Sequence, residues 1–130
     1  MAQQEIEVIL FRQLASCLAM PIFIVDPAGT LIYYNEPAEA LLGQRFEETG
    51  AMAADEWATS FRPSDRDGNA IAGEQLPLVR ALAERRPINA NIWIHGMDGV
   101  QRHLSVTAFS LDGQAGRLLG AAALFWETEP

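Results

Sequence analysis

Two histidines, His95 and His103, are the only imidazoles in this 130-residue chain, and they flank Gly96-Met97-Asp98-Gly99, a turn between two alternating segments. If Ile94 faces Leu104 across that hairpin, His95 faces His103, and cross-strand neighbours stand close enough to share a metal. No third ligand lies near them in the sequence, so the pair reads as solvated surface and no metal is expected. Asp65-Arg66-Asp67-Gly68-Asn69 opens like a calcium loop, but Leu76 stands where the closing glutamate would be, which leaves an ordinary turn. Cys17 is the single cysteine; it rules out an internal disulfide, a thiolate zinc site and a Cys-x-x-Cys redox pair within one chain. Tyr33 or Tyr34 beside Asp26 or Asp55 is the minimum that proton-transfer chemistry would require. Asp26 belongs to a turn, Asp55 to a surface helix and the tyrosines to a strand. A Gly-rich phosphate loop, a nucleophile elbow and a His-Glu-x-x-His helix are all missing, so an enzyme is not expected.

The elements that would position these groups begin with an amphipathic helix from Gln3 to Leu18. Its apolar stripe runs Ile6, Leu10, Leu14, Cys17 and Leu18, with Phe11 widening it and Val8 off it. Pro21 ends the helix. Ile22 to Val25 and Leu31 to Tyr34 are strands around Asp26-Pro27-Ala28-Gly29, which sets Pro and Gly where a turn wants them. Asn35 caps a short helix that carries Pro37 in its first turn and stops at Gly43. A second short helix is expected over Ala53 to Phe61, then a loop, then a helix from Leu78 to Arg86 started by Pro77, with Leu78, Val79 and Leu82 inward. Strands follow at Ile88 to His95, Arg102 to Ser110 and Leu118 to Trp126. The sum is an α+β domain: a five-stranded antiparallel sheet with helices on one face, preceded by the N-terminal helix.

Half of the chain (49%) is hydrophobic, enough for one compact core and too little length for a second. No apolar run reaches the roughly twenty residues of a membrane span, and the N-terminus has no basic start of the signal-peptide kind. A soluble, cytoplasmic protein is expected. Seventeen acidic residues oppose nine basic ones, all arginine, for a net charge of −8. Such a field repels phosphate backbones and anionic membranes, so neither nucleic acid nor a bilayer is an expected partner. The absence of lysine removes Schiff-base chemistry.

Several motifs taken together resemble the PAS family of bacterial sensor domains over Ala19 to Glu127. They are Asp26-x-x-Gly29, Asn35, Ala38-Glu39-x-Leu41-Leu42-Gly43, Asp67-Gly68 before the proline-started helix, and Gly116-x-x-x-Gly120. The resemblance implies a flanking helix (1–19) through which such domains dimerise, a sensory domain (20–128), and a pocket between the sheet and the central helices. By strand alternation the pocket side carries Ile92, Ile94, Leu104, Val106 and Ala108, and, in the family's phase, Gly120, Ala122 and Leu124. Val79, Leu82 and Trp57 would complete it from the helices.

The family's flavin branch would show an Asn-Cys-Arg motif and amides where Ile94, Leu104 and Ala122 stand, and its haem branch a histidine in the helix after Pro77. Its thioester-linked chromophore needs a cysteine nearer the pocket than Cys17. None of these cofactors is expected. On the other sheet face Trp93, Phe109, Ala121, Ala123 and Phe125 would form an apolar patch, to be covered by the N-terminal helix (Ile6, Leu10, Phe11, Leu14 and Leu18) of the same or a neighbouring chain, with a homodimer as the preferred assembly. The resemblance thus implies a non-enzymatic sensor of a small apolar ligand that signals, as in regulation of transcription, to a partner protein or output domain. A ligand-free interaction and dimerisation module is the alternative.

Overall fold

The computed structural model describes residues 6–96 and 98–129. Gln3 to Glu5 of the expected first helix and Met97 of the expected hairpin turn lie outside them. The element order is α1 (Ile6–Ser16), β1 (Ile22–Val25), β2 (Leu31–Tyr34), α2 (Glu36–Leu42), α3 (Phe46–Thr49), α4 (Ala54–Ser60), α5 (Pro77–Glu84), β3 (Ile88–His95), β4 (Gln101–Asp112) and β5 (Leu118–Glu127). Short 3-10 turns at Gly73–Gln75 and Gln114–Gly116 precede α5 and β5. The strands form one antiparallel five-stranded sheet in the order β2-β1-β5-β4-β3. This is the expected α+β architecture, with α3 as an extra four-residue helix.

Asn35 welds the N-terminal half together. Its Oδ1 accepts from Ala38 N, the N-cap bond, and also from Ile22 N; its Nδ2 donates to the carbonyls of Ala15 and Met20. One buried amide thereby ties the end of α1, the start of β1, the end of β2 and the start of α2. Gly43 closes α2 in the left-handed conformation.

The sheet has an apolar layer on each face. Phe23, Val25, Leu31, Tyr34, Leu104, Val106, Ala108, Ala121, Ala123 and Phe125 meet the helices α2, α4 and α5 in the larger core. On the opposite face Ile22, Ile24 and Ala122 pack with Phe11, Ala15, Leu18, Phe109, Leu111 and Leu124 under α1. The phase of β5 is therefore the reverse of the sequence expectation: Ala122 and Leu124 sit under α1, while Ala121, Ala123 and Phe125 face the central helices. Pairing explains it, because directly opposed residues share a face. Val106 lies opposite Phe125, Ala108 opposite Ala123, and Phe23 opposite Ala123. Gly120 lets β5 pass beside β1, since a Cβ there would overlap the Val25 carbonyl oxygen.

The helix α1 is also rotated from its expected seat. Val8, Phe11, Ala15 and Leu18 turn toward the sheet, and Phe11 meets Phe109 edge to face at 6.4 Å. Ile6, Leu10 and Leu14 stay 67%, 58% and 54% exposed. Of the expected stripe only Leu18 and the flanking Phe11 contribute to the sheet contact.

Arg102 fastens the β3–β4 end to the rest. Its guanidinium donates to Leu41 O at 2.8 Å, approaches the Asp98 carboxylate at 3.2 Å and lies 3.8 Å from Glu127. Hydrogen bonds from Arg102 first, and from Val100 N second, hold the Asp98 carboxyl below its ordinary value. A depressed carboxylate stabilises the fold above its unfolded pKa and loses that contribution as pH falls through the folded one. Asp98→Asn should thus melt about 1–3 °C below the parent at pH 7, a small effect because the Asp98 carboxylate keeps contact with solvent. The gap should close below the usual aspartate range; thermal melts at stepped pH check this, and a gap that persists in acid would assign the loss elsewhere.

Candidate functional site

A cavity of about 80 Å³ lies between the sheet and the helices. The strands supply Phe23, Ile92, Ile94, Leu104, Val106, Ala123 and Phe125; the helices and connecting segments supply Leu42, Trp57, Phe61, Pro63, Leu76, Pro77 and Leu78. All fourteen linings are apolar in kind apart from the Trp57 nitrogen, and that N–H donates to Gly29 O at 2.9 Å. Nothing in the wall offers a hydrogen bond to a guest. Shape and dispersion alone would select what enters, which favours a small uncharged molecule over any polar one.

The local sequence explains each wall. Trp57 is held by its bond to Gly29 and by edge-to-face contact with Phe23 at 5.4 Å, and Phe61 meets the same ring at 6.2 Å. Pro77 opens α5 where no intrahelical bond is lost, which brings Leu76, Pro77 and Leu78 against the sheet.

Of the residues expected at the pocket, Ile92, Ile94, Leu104, Val106 and Trp57 come together on this cavity. Ala108 lies in the same core but off the lining, and Val79 and Leu82 pack against that core half-buried. Ala122 and Leu124 are on the far face of the sheet, under α1. Their places are taken by Ala123 and Phe125, which had been expected outside with Ala121. Trp93 and Phe109 do lie on the outer face: Phe109 is covered by α1, and Trp93 meets His103 with ring centroids 4.7 Å apart and planes tilted by 49°. Phe23, Leu42, Phe61, Pro63, Leu76, Pro77 and Leu78 were not singled out as pocket residues. Only the aromatic spacing of Trp57 and Phe61, one helical turn apart, carried a signal for them.

The polar candidates are placed otherwise than a catalytic or metal site would need. His103 pairs with Trp93, and His95 with Gln101, so the two histidines are not opposite each other. Among the described residues no group of three His, Cys, Asp or Glu is gathered about a common point. Asp65 Oδ1 accepts from the amides of Asp67 and Asn69 and so closes its own loop. Asp26 does the same for Ala28 and Thr30. Burial pushes the Tyr34 hydroxyl above its ordinary pKa, and it donates to Gln44 O at 2.8 Å. Burial also raises Tyr33, opposed by the Arg12 guanidinium that stands 4.9 Å over its ring.

A family model described as the PAS fold matches residues 17–129. Among solved structures, the PAS domain of BvgS from Bordetella pertussis is similar at 16% identity, with a TM-score of 0.70 over 97% of this chain and 89% of that one. The PAS domain of nitrogen regulation protein NR(II) from Vibrio parahaemolyticus is similar at 19% identity, with a TM-score of 0.65 over 92% and 98%. The LOV protein of Rhodobacter sphaeroides is similar at 12% identity, with a TM-score of 0.75 over 96% and 69%. No curated protein matches the chain. At these identities the structural matches establish the fold.

Proposed function

Since the chain belongs to the PAS family, whose members are generally signal-sensing and typically not catalytic, we propose that it is a non-enzymatic sensor of a small apolar ligand. The observation that carries this reading is the wholly apolar cavity, walled on one side by Ala123 and Phe125 of β5. The residues between and before them, Leu124 and Ala122, pack under α1 on the other face. A single strand thus separates guest from helix. A ligand that prefers one seating of α1 over another shifts that equilibrium by its difference in affinity, and nothing more is required for a signal. Residues 1–19 act in this reading as the flanking and dimerisation segment, 20–128 as the sensory domain, and the output lies in a partner protein or a further domain.

A homodimer is part of the proposal, because Ile6, Ile9, Leu10 and Leu14 leave an apolar stripe on α1 uncovered by the chain's own sheet. Neither flavin nor haem is proposed, since the cavity wall has no amide, imidazole or thiol to hold one. Among the described residues no helix is long and apolar enough to cross a membrane. A cytoplasmic setting, with neither membrane nor nucleic acid as partner, agrees with the −8 charge.

The experiment isolates Trp57 by replacing Trp93 and Trp126 with Phe and follows its fluorescence during titration with hydrophobic metabolites smaller than benzene, which needs a dry cavity of about 150 Å³. A saturable change, together with a stoichiometric small molecule in organic extracts of the purified protein, is expected. A flat response and an empty extract would favour the filled-core interaction module instead.

A further inference from the structure

Every side chain around the inner cavity but one carries at least three carbons beyond Cα, and the exception is Ala123 in the middle of β5. Pairing sets Ala123 between Phe23 of β1 and Ala108 of β4, on the sheet face turned to the helices. Its neighbours Ala108 and Ala121 are fully buried and lie off the lining. The space therefore opens where one strand presents a single methyl group among rings and branched chains. Unfilled volume forfeits the dispersion contacts that close packing gives. A β-branched residue at position 123 would suit the strand and recover those contacts, so alanine is the choice that keeps the space.

Volume and polarity together narrow what fits. A dry cavity of about 150 Å³ takes the six carbons of benzene, so one of about 80 Å³ has room for about three non-hydrogen atoms. The polar group in the wall, the Trp57 N–H, is already given to Gly29 O, so a water inside would find none of the partners it needs. A hydroxyl or amide on a guest would be stranded in the same way, a cost that so few atoms do not recover.

We propose, on the reading of this cavity as a ligand site, that Ala123 sets what it takes: an uncharged guest of about three non-hydrogen atoms without a hydrogen-bonding group, the size and polarity of a C3 hydrocarbon. The guest rests against the Ala123 methyl. The residues on either side of that methyl, Ala122 and Leu124, seat α1 on the opposite face, so the position that selects the guest is also the one nearest the helix contact.

The test follows the methyl NMR signals of Leu42, Leu78, Ile92, Ile94, Leu104 and Val106, all on the lining, in the whole chain. Cyclopropane, ethanol and benzene are added to separate samples; ethanol matches cyclopropane in size but carries a hydroxyl, and benzene is apolar but twice as large. Cyclopropane should shift these signals saturably, ethanol should bind at least about tenfold more weakly, and benzene should leave them in place. Ala123→Val puts two more carbons into the space and should weaken cyclopropane at least about tenfold with the melting temperature kept, which separates a filled site from a damaged fold. Ala123→Cys, larger by one sulfur, carries the same prediction in smaller measure, about threefold or more, should the valine pack poorly. Ile92→Ala takes three carbons from a half-buried part of the wall and should admit benzene. Benzene bound by the parent, or ethanol bound as tightly as cyclopropane, would overturn the guest class and leave a ligand site standing. Full cyclopropane affinity in both Ala123 variants would overturn the role of Ala123. If none of the three shifts a lining methyl in the parent, the core is filled, and the ligand-site reading falls together with this one.

Discussion

Asn35→Ala is expected to lower the melting temperature by about 10–20 °C, the largest effect of any single polar substitution in the chain. The residue has almost no exposed surface, and its amide serves two donors and two acceptors that no other side chain reaches. Loss of the N-cap bond alone costs about 0.5–2 kcal/mol, and each buried group left without a partner about 1–3 kcal/mol. Water can recover part of this near Met20, which is exposed, so about 3–5 kcal/mol is the net expectation. Asn35→Asp separates the parts: it keeps the acceptor for Ala38 and Ile22 but turns a carboxylate toward the carbonyls of Ala15 and Met20. Its α2 amides should stay protected from hydrogen exchange while those of α1 lose protection. If Asn35→Ala melts within a few degrees of the parent, α1 is held by its apolar seat and not by this residue.

Leu14→Glu should turn a dimer into a monomer without unfolding it. Leu14 is 54% exposed, so the new carboxylate meets water in the single chain, but it would be buried against apolar side chains in a helix-to-helix contact. A loss of at least about 100-fold in dimer affinity is expected, read by sedimentation velocity with circular dichroism unchanged. Phe11→Glu is the contrasting variant, because Phe11 packs on Phe109 between α1 and the sheet. It should reduce thermal stability whatever the assembly state. A parent that sediments as a monomer, or a Leu14→Glu protein of unchanged mass, would reject α1 as the interface.

The parts of the fold that were legible in the sequence are those marked by punctuation. Asn35 at the start of α2, Gly43 at its end and Pro77 at the head of α5 each have a stereochemical task that few other residues perform, and the structure places each as expected. The alternation of β3 and β4 fixed Ile92, Ile94, Leu104 and Val106 on one face because polar residues lie between them. In β5, Ala121 to Phe125 offers no polar residue, and burial on both faces erases the period of two. Its phase is set by pairing with β1 and β4. The hairpin register shows the same limit in milder form. Leu104 faces Ile92 and not Ile94, a two-residue shift that leaves every side chain on its expected face yet moves His95 from His103 to Gln101. For α1, apolar residues occur nearly all round the helix, so the stripe that docks was chosen by the shape of the sheet and not by composition. Pro63 and Leu76 were invisible as cavity residues because the segment around them has no repeat.

The alternating allegiance of β5 makes the connection before it a matter of length more than of chemistry. Ala123 and Phe125 look into the cavity and Ala122 and Leu124 into the helix contact through the pairing of β5 with β1 and β4, and residues 113–117, after a bulge at Leu111/Asp112 and with left-handed Ala115 and Gly116, deliver the strand in that register. Adding or deleting one residue there would exchange the two sets, lining the cavity with what now seats the helix and the helix seat with what now lines the cavity. The side chains of this turn are free to vary so far as they permit its backbone, but their number is fixed. In this domain the gauge that sets cavity wall against helix seat is a count of peptide bonds.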